Sequence, residues 1–204
     1  ELTGGVAQMN VYEAILARRT VRKFEQKPIP TKTLQKLVNA ARLAPQAANL
    51  QPIKYVVVDE KELLDPIFAT TKWAGYLAPD GTPKEGERPT AYIVILVDRE
   101  IRDAGYDTDA GAAVENLLLA AVGEGLGSCW IGSVDREQLR KILAIPERYS
   151  IHTIAALGYP AEFPVVVDAE DSIKYYKDET GTLHVPKRQL QEVMFFNRMK
   201  PAGK

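Results

Sequence analysis

Arg18-Arg19-Thr20-Val21-Arg22-Lys23-Phe24 sets a cluster of cations just after a short helical pattern rather than in a charged tail. Asn10 is a suitable cap for that helix, and Val11, Ala14 and Ile15 follow helical spacing toward Arg18. The basic groups therefore project from a helix-to-loop junction, where guanidinium groups can grip an anion in two-pronged fashion. Taken alone, the cluster reads first as solvated surface and second as an anion site.

Beyond the run, Pro28-Ile29-Pro30 stops the chain from continuing as helix. Thr31 then caps a second helix with Leu34, Leu37, Val38 and Ala41 on one face, closed by Ala44-Pro45. A polar loop, Gln46-Ala47-Ala48-Asn49-Leu50-Gln51-Pro52, runs directly into the β-branched strand Tyr55-Val56-Val57-Val58. Residues 60–69 read as helix. Residues 72–89, rich in Gly, Pro and charge, read as an excursion or lid whose Trp73 and Tyr76 could cover a site. A buried strand over 91–97 precedes a long helix over 108–123, a strand over 128–131 ending at Gly132-Ser133, and a helix opened by Asp135 and Gln138 as a capping box. The strand 152–157 ends at Gly158-Tyr159-Pro160. From residue 161 the pattern loosens toward a short helix near 190–196, which suggests an arm over a neighbouring body.

The chain has 204 residues, 46% hydrophobic content and a net charge of -1, enough for one sizeable core and without the basic excess of a nucleic-acid binder. The single cysteine, Cys129, excludes an internal disulfide framework and fits a reducing, cytoplasmic setting. With only His152 and His184 beside it, no metal-ligand spacing emerges. No apolar run reaches membrane-spanning length, so neither membrane nor nucleic acid is expected as a partner. Residues 1–8 read as an expression remnant ahead of one domain over 10–198.

Catalytic side chains are sparse. Cys129 sits in an apolar strand as a small hydrophobe, neither histidine has an orienting carboxylate near it in sequence, and Asp107 and Asp109 read as helix-start acids. The glycine-rich phosphate loops GxGxxG and GxxxxGK[ST] are absent. Such a chain suits a cofactor that carries the chemistry itself; a phosphate on it would need cationic side chains, which Arg18, Arg19, Arg22 and the distant Lys187-Arg188 could provide, although the solvated-surface reading of the cluster comes first.

Six segments in order resemble the FMN-dependent nitroreductase family. The arginine run is similar to its Arg-Arg-Ser-x-Arg-x-Phe opening, and Ala44-Pro45-Gln46-Ala47-Ala48-Asn49-Leu50-Gln51-Pro52 to its Ala-Pro-Ser-x-x-Asn-x-Gln-Pro loop. The helix starting Asp109-Ala110-Gly111, the strand Gly125-Leu126-Gly127-Ser128-Cys129-Trp130-Ile131-Gly132, Gly158-Tyr159-Pro160 and Pro186-Lys187-Arg188 complete the order. Gln46 stands where serine is common, and Ile53 where an aromatic is frequent.

The resemblance implies an α+β fold with a mostly antiparallel central sheet wrapped by helices, in a homodimer whose arms, residues 161–198, embrace the partner. Two FMN sites would lie at the interface. Arg18, Arg19 and Thr20 would bind the phosphate and ribityl end with Lys187 and Arg188, while Arg22 would lie at the N1 and C2 carbonyl edge. Pro45, Gln46, Ala47 and Asn49 would line the ring, and backbone groups of Ile131, Gly132 and Ser133 would approach N5 and O4. NADH or NADPH would donate hydride, and a small-molecule acceptor such as a nitroaromatic or quinone would remove two electrons, in a ping-pong cycle with no protein catalytic residue. Alternatives are a same-fold dehalogenase or flavin-cleaving enzyme, or a flavin-binding protein without turnover.

Overall fold

The computed structural model describes residues 9–78 and 80–199, so the expectation for residues 1–8 lies outside the described chain. Elements follow in the order α1 (Val11–Ala17), β1 (Phe24–Glu25), α2 (Thr31–Arg42), β2 (Ile53–Val58), α3 (Lys61–Ala69), β3 (Ala91–Asp98), α4 (Asp107–Gly123), β4 (Gly127–Ile131), α5 (Arg136–Ile142), β5 (Tyr149–Pro160), β6 (Val165–Asp168), β7 (Tyr176–Lys177), β8 (Leu183–Lys187) and α6 (Leu190–Val193). Two compact units divide the chain between Glu162 and Phe163.

The first unit is built on an antiparallel sheet in the order β1-β5-β3-β2, with β4 also paired to β5. Every residue of β3 is buried, as its unbroken apolar run requires of a strand covered on both faces. Alternation sends Ile93, Ile95 and Val97 into a cluster with Leu34, Leu37, Val114 and Leu117 of α2 and α4. It sends Tyr92, Val94 and Leu96 into a second cluster with Ile67 of α3 and Leu139 of α5. The register shifts between Ile95 opposite Thr153 and Leu96 opposite Ile151, so His152 is the extra residue of a β-bulge.

Local signals hold in part. Asn10 and Glu13 exchange the two bonds of a capping box at the start of α1, and Asp135 accepts the Gln138 N–H at 3.0 Å, one half of the box expected there. Thr31 is the first helical residue rather than the cap: Pro30 takes the cap position, and its carbonyl accepts from the Thr33 and Leu34 N–H groups. Of the α1 residues grouped by helical spacing, Ala14 is buried, but Val11 and Ile15 are exposed, as are the apolar Tyr12 and Leu16 beside them.

The second unit is a three-stranded sheet in the order β6-β8-β7, followed by α6. Asp178 anchors its hairpin by accepting from the Thr180 and Thr182 N–H groups and pairing with His184 at 2.9 Å. Those hydrogen bonds, that from His184 foremost, hold its carboxyl well below the ordinary carboxylate range.

Candidate functional site

The arginine run is threaded against β4. Thr20 bridges Ser128, and the Val21 N–H donates to the Ser128 carbonyl at 2.9 Å. The fit allows no side chain at Gly127, where a Cβ would stand 2.8 Å from the Val21 methyl. At Gly158 a Cβ would lie 2.7 Å from the ring of buried Phe24. These two glycines let the segment lie flat on the sheet.

Its cations then part company. The Arg18 Nε pairs with Glu115 of α4 at 3.1 Å. Arg19 donates through Nη1 to the Arg18 carbonyl while its Nε is buried without a partner. Burial lowers the Arg19 pKa from its ordinary value, and neighbouring Arg18 adds to the effect. A partly desolvated cation with an unmet donor is a fitted receptor for an anion. The Arg22 N–H donates to Glu162 at 2.6 Å.

Arg22 enters a cleft of about 350 Å³ with Lys72, Trp73, Trp130, Ile131, Gly132 and Ser133. Because Ser128 gives its carbonyl to Val21 rather than to β5, alternation along β4 directs the Gly132 N–H to the same edge as Val21 and Arg22. The carbonyls of the turn are engaged: that of Gly132 accepts from Arg136 at 3.2 Å and that of Ser133 from the Lys72 N–H at 3.0 Å. What the turn offers the cleft is therefore N–H donors, suited to a carbonyl oxygen or an unprotonated ring nitrogen.

The loop after α2 lines a different cavity, about 440 Å³, formed by Pro45, Gln46, Ala47, Arg102, Thr108 and Asp109. Here Asp109, only 3% exposed, accepts the Ala47 N–H at 3.0 Å on one oxygen and pairs with Arg102 at 2.9 Å through the other. Ala48, Asn49 and Gln51 hold left-handed backbone at φ 50, 54 and 56°, a strained loop that persists because its neighbours fix it. The Gln46 Oε1 is buried without a partner, and Asn49 is exposed. Of the sequence-predicted residues, Arg22, Ile131, Gly132 and Ser133 thus come together in one cleft, and Pro45, Gln46 and Ala47 in another. Lys187 ends β8 and Arg188 follows it, both in the second unit.

Three features escaped the sequence. Asp109 is a loop anchor as well as a helix-start acid, Lys72 and Arg136 serve the Gly132 turn, and both histidines have carboxylate partners, Asp107 far along the chain for His152 and Asp178 in the same hairpin for His184. His152 meets Asp107 at 3.1 Å, and its other ring nitrogen lies 3.2 Å from the Thr153 hydroxyl, which also accepts from Trp130 at 2.7 Å. Trp73 is buried and stacked on Phe68, so it is core as well as cleft wall.

Cys129 lies beneath the cleft, and burial pushes its thiol up to about 11 against a lowering influence from Arg22. At pH 8 a thiol with that pKa is ionised on the order of one part in a thousand. Native protein is therefore expected to resist iodoacetamide at pH 8, and urea-unfolded protein to take up one label. Equal labelling rates by mass spectrometry would refute the buried, protonated thiol.

The nitroreductase family model matches residues 15–159. A protein of Archaeoglobus fulgidus, provisionally named an NADH dehydrogenase/NAD(P)H nitroreductase, is 34% identical over 164 residues, 77% of this chain and 89% of its own. The NADH dehydrogenase of Thermus thermophilus is 30% identical over 73% of this chain and 86% of its own. Among solved structures, an FMN-dependent nitroreductase from Clostridium difficile aligns with a TM-score of 0.65 at 26% identity, covering 91% of this chain and 98% of that one. Among the described residues, no helix is long and apolar enough to cross a membrane.

Proposed function

The chain belongs to the nitroreductase family of oxidoreductases, and from that premise we propose that it is an FMN-dependent enzyme using NADH or NADPH to reduce nitroaromatic, quinone or related conjugated acceptors, in a reducing, cytoplasmic setting. The observation that carries this reading is the joint presence of Arg22 and the outward Gly132 N–H in one cleft, together with the partly buried Arg19 of the same segment, whose Nε is buried with an unmet donor. These groups fit FMN at both ends.

FMN, when bound, would supply two-electron redox chemistry between a nicotinamide and an acceptor. Arg19, with Arg18 and Thr20, would hold the phosphate end. Arg22 offsets negative charge at the N1 and C2 carbonyl edge, which favours the reduced ring. The N–H groups of Gly132 and Ser133, next to Ile131 in the turn, would serve N5 and O4. The loop carrying Pro45, Gln46, Ala47 and Asn49 lines the ring of a second copy, consistent with its place in a separate cavity. The exposed apolar face of α1 supplies part of that dimer contact, and residues 161–198 act as the arm. The domain of this function spans 10–198.

Fluorescence titration of FMN with apoprotein tests the proposal. Quenching that saturates at one FMN per chain is expected, and persistent free-flavin fluorescence at stoichiometric protein would sink it.

A further inference from the structure

We propose that Arg136 is the positioning residue of this site: its guanidinium clamps the Gly132 turn to the β5 bulge and thereby aims the Ser133 N–H at a ligand acceptor. The inference rests on the FMN reading for the identity of that ligand, but its geometry stands independently.

Arg136 opens α5 and donates to four carbonyls. Its Nε reaches Ile151 at 2.9 Å, Nη2 reaches both His152 at 2.8 Å and Gly132 at 3.2 Å, and Nη1 approaches Val134 at 3.4 Å. A guanidinium has donors only, so each contact must end on a carbonyl oxygen and the polarity is fixed. Two of those carbonyls belong to the bulge at His152, where the extra residue interrupts the ladder and leaves main-chain groups for another partner. The other two flank Ser133.

The peptide unit joining Gly132 to Ser133 is planar and trans, so its C=O and N–H point in opposite directions. Holding the Gly132 carbonyl toward Arg136 sends the Ser133 N–H the other way. The positive charge on the carbonyl side also polarises the unit and strengthens the N–H as a donor. The Lys72 N–H on the Ser133 carbonyl fixes the following unit in the same manner. Lysine cannot replace this clamp, because an ammonium carries three donors at one point on a flexible stem and cannot serve four carbonyls. Arg136 thus acts through the turn and does not itself need to touch the ligand.

The test compares Arg136→Lys and Arg136→Ala with the parent by melting temperature, FMN dissociation constant and the midpoint potential of bound FMN at saturation. The dissociation constant should rise about tenfold in Arg136→Lys, as expected for loss of a well-aligned charge-assisted contact. Its potential should move negative, a shift that simple loosening of the fold would not cause at full occupancy. Methylguanidinium should restore FMN affinity to Arg136→Ala. If Arg136→Ala does not fold, Arg136→Lys alone decides. Folded variants with parental affinity and potential would overturn the inference. If the parent itself fails to bind FMN, the FMN reading falls. The clamp is then judged by the Ser133 amide resonance in apoprotein, which should shift in Arg136→Lys and would refute the clamp if unmoved.

Discussion

Replacing Arg19 with alanine is expected to raise the FMN dissociation constant by about a hundredfold, equivalent to losing two charge-assisted hydrogen bonds. Arg18→Ala should cost no more than about tenfold, because Arg18 already has Glu115 at 3.1 Å and much of its charge is answered within the chain. Arg19 differs in having a buried, unmet Nε and a lowered pKa, so the protein holds it in a state that an anion would relieve. Removing it should therefore leave the melting temperature of the apoprotein unchanged or raised, since an unsatisfied buried donor disappears. Affinity measured by flavin fluorescence beside apoprotein melting separates the two effects. The opposite ranking, with Arg18→Ala the more damaging, would show that the phosphate is held by the wrong arginine in this account.

Asp109→Ala should be the most destabilising change at the site. It strands the Arg102 guanidinium and removes the acceptor of the Ala47 N–H from a carboxylate that is 3% exposed. Breaking one side of a buried pair costs about 3 kcal/mol, which lowers the melting temperature of a chain this size by roughly 6–12 °C. The left-handed residues Ala48, Asn49 and Gln51 would then lose the contact that holds their loop in place. Asp109→Asn keeps an oxygen for the Ala47 N–H but loses the charge opposite Arg102, so an intermediate melting temperature is expected. Thermal unfolding that places Asp109→Ala within a degree of the parent would remove Asp109 as the anchor of this loop.

The legibility of the chain followed the range of the interactions. The buried run of β3, the cap at Asn10 and the turn at Gly132 are written in neighbouring residues and are readable there. The three short strands after Phe163 escape a sequence reading because only one of their residues is buried and too few alternate to reveal a period. Helical spacing groups Val11, Ala14 and Ile15 in α1, yet only Ala14 of the three is buried, a division that sequence could not supply. The basic run announced its charge but not its division of labour, since Glu115, Ser128 and Glu162 sort Arg18, Thr20 and Arg22 from far along the chain. The same holds for Asp109 and Arg136. Each looks like an ordinary residue in the first turn of a helix until the loop or turn it fixes is brought beside it by the fold.

The most direct measurement is an anaerobic addition of NADH and, separately, NADPH to the FMN-loaded protein, followed in the visible flavin band. The band should bleach with at least one nicotinamide and return when a quinone or nitroaromatic is added. A flavin that dithionite reduces but that neither nicotinamide touches would contradict the assignment of this chain as an NAD(P)H-dependent reductase.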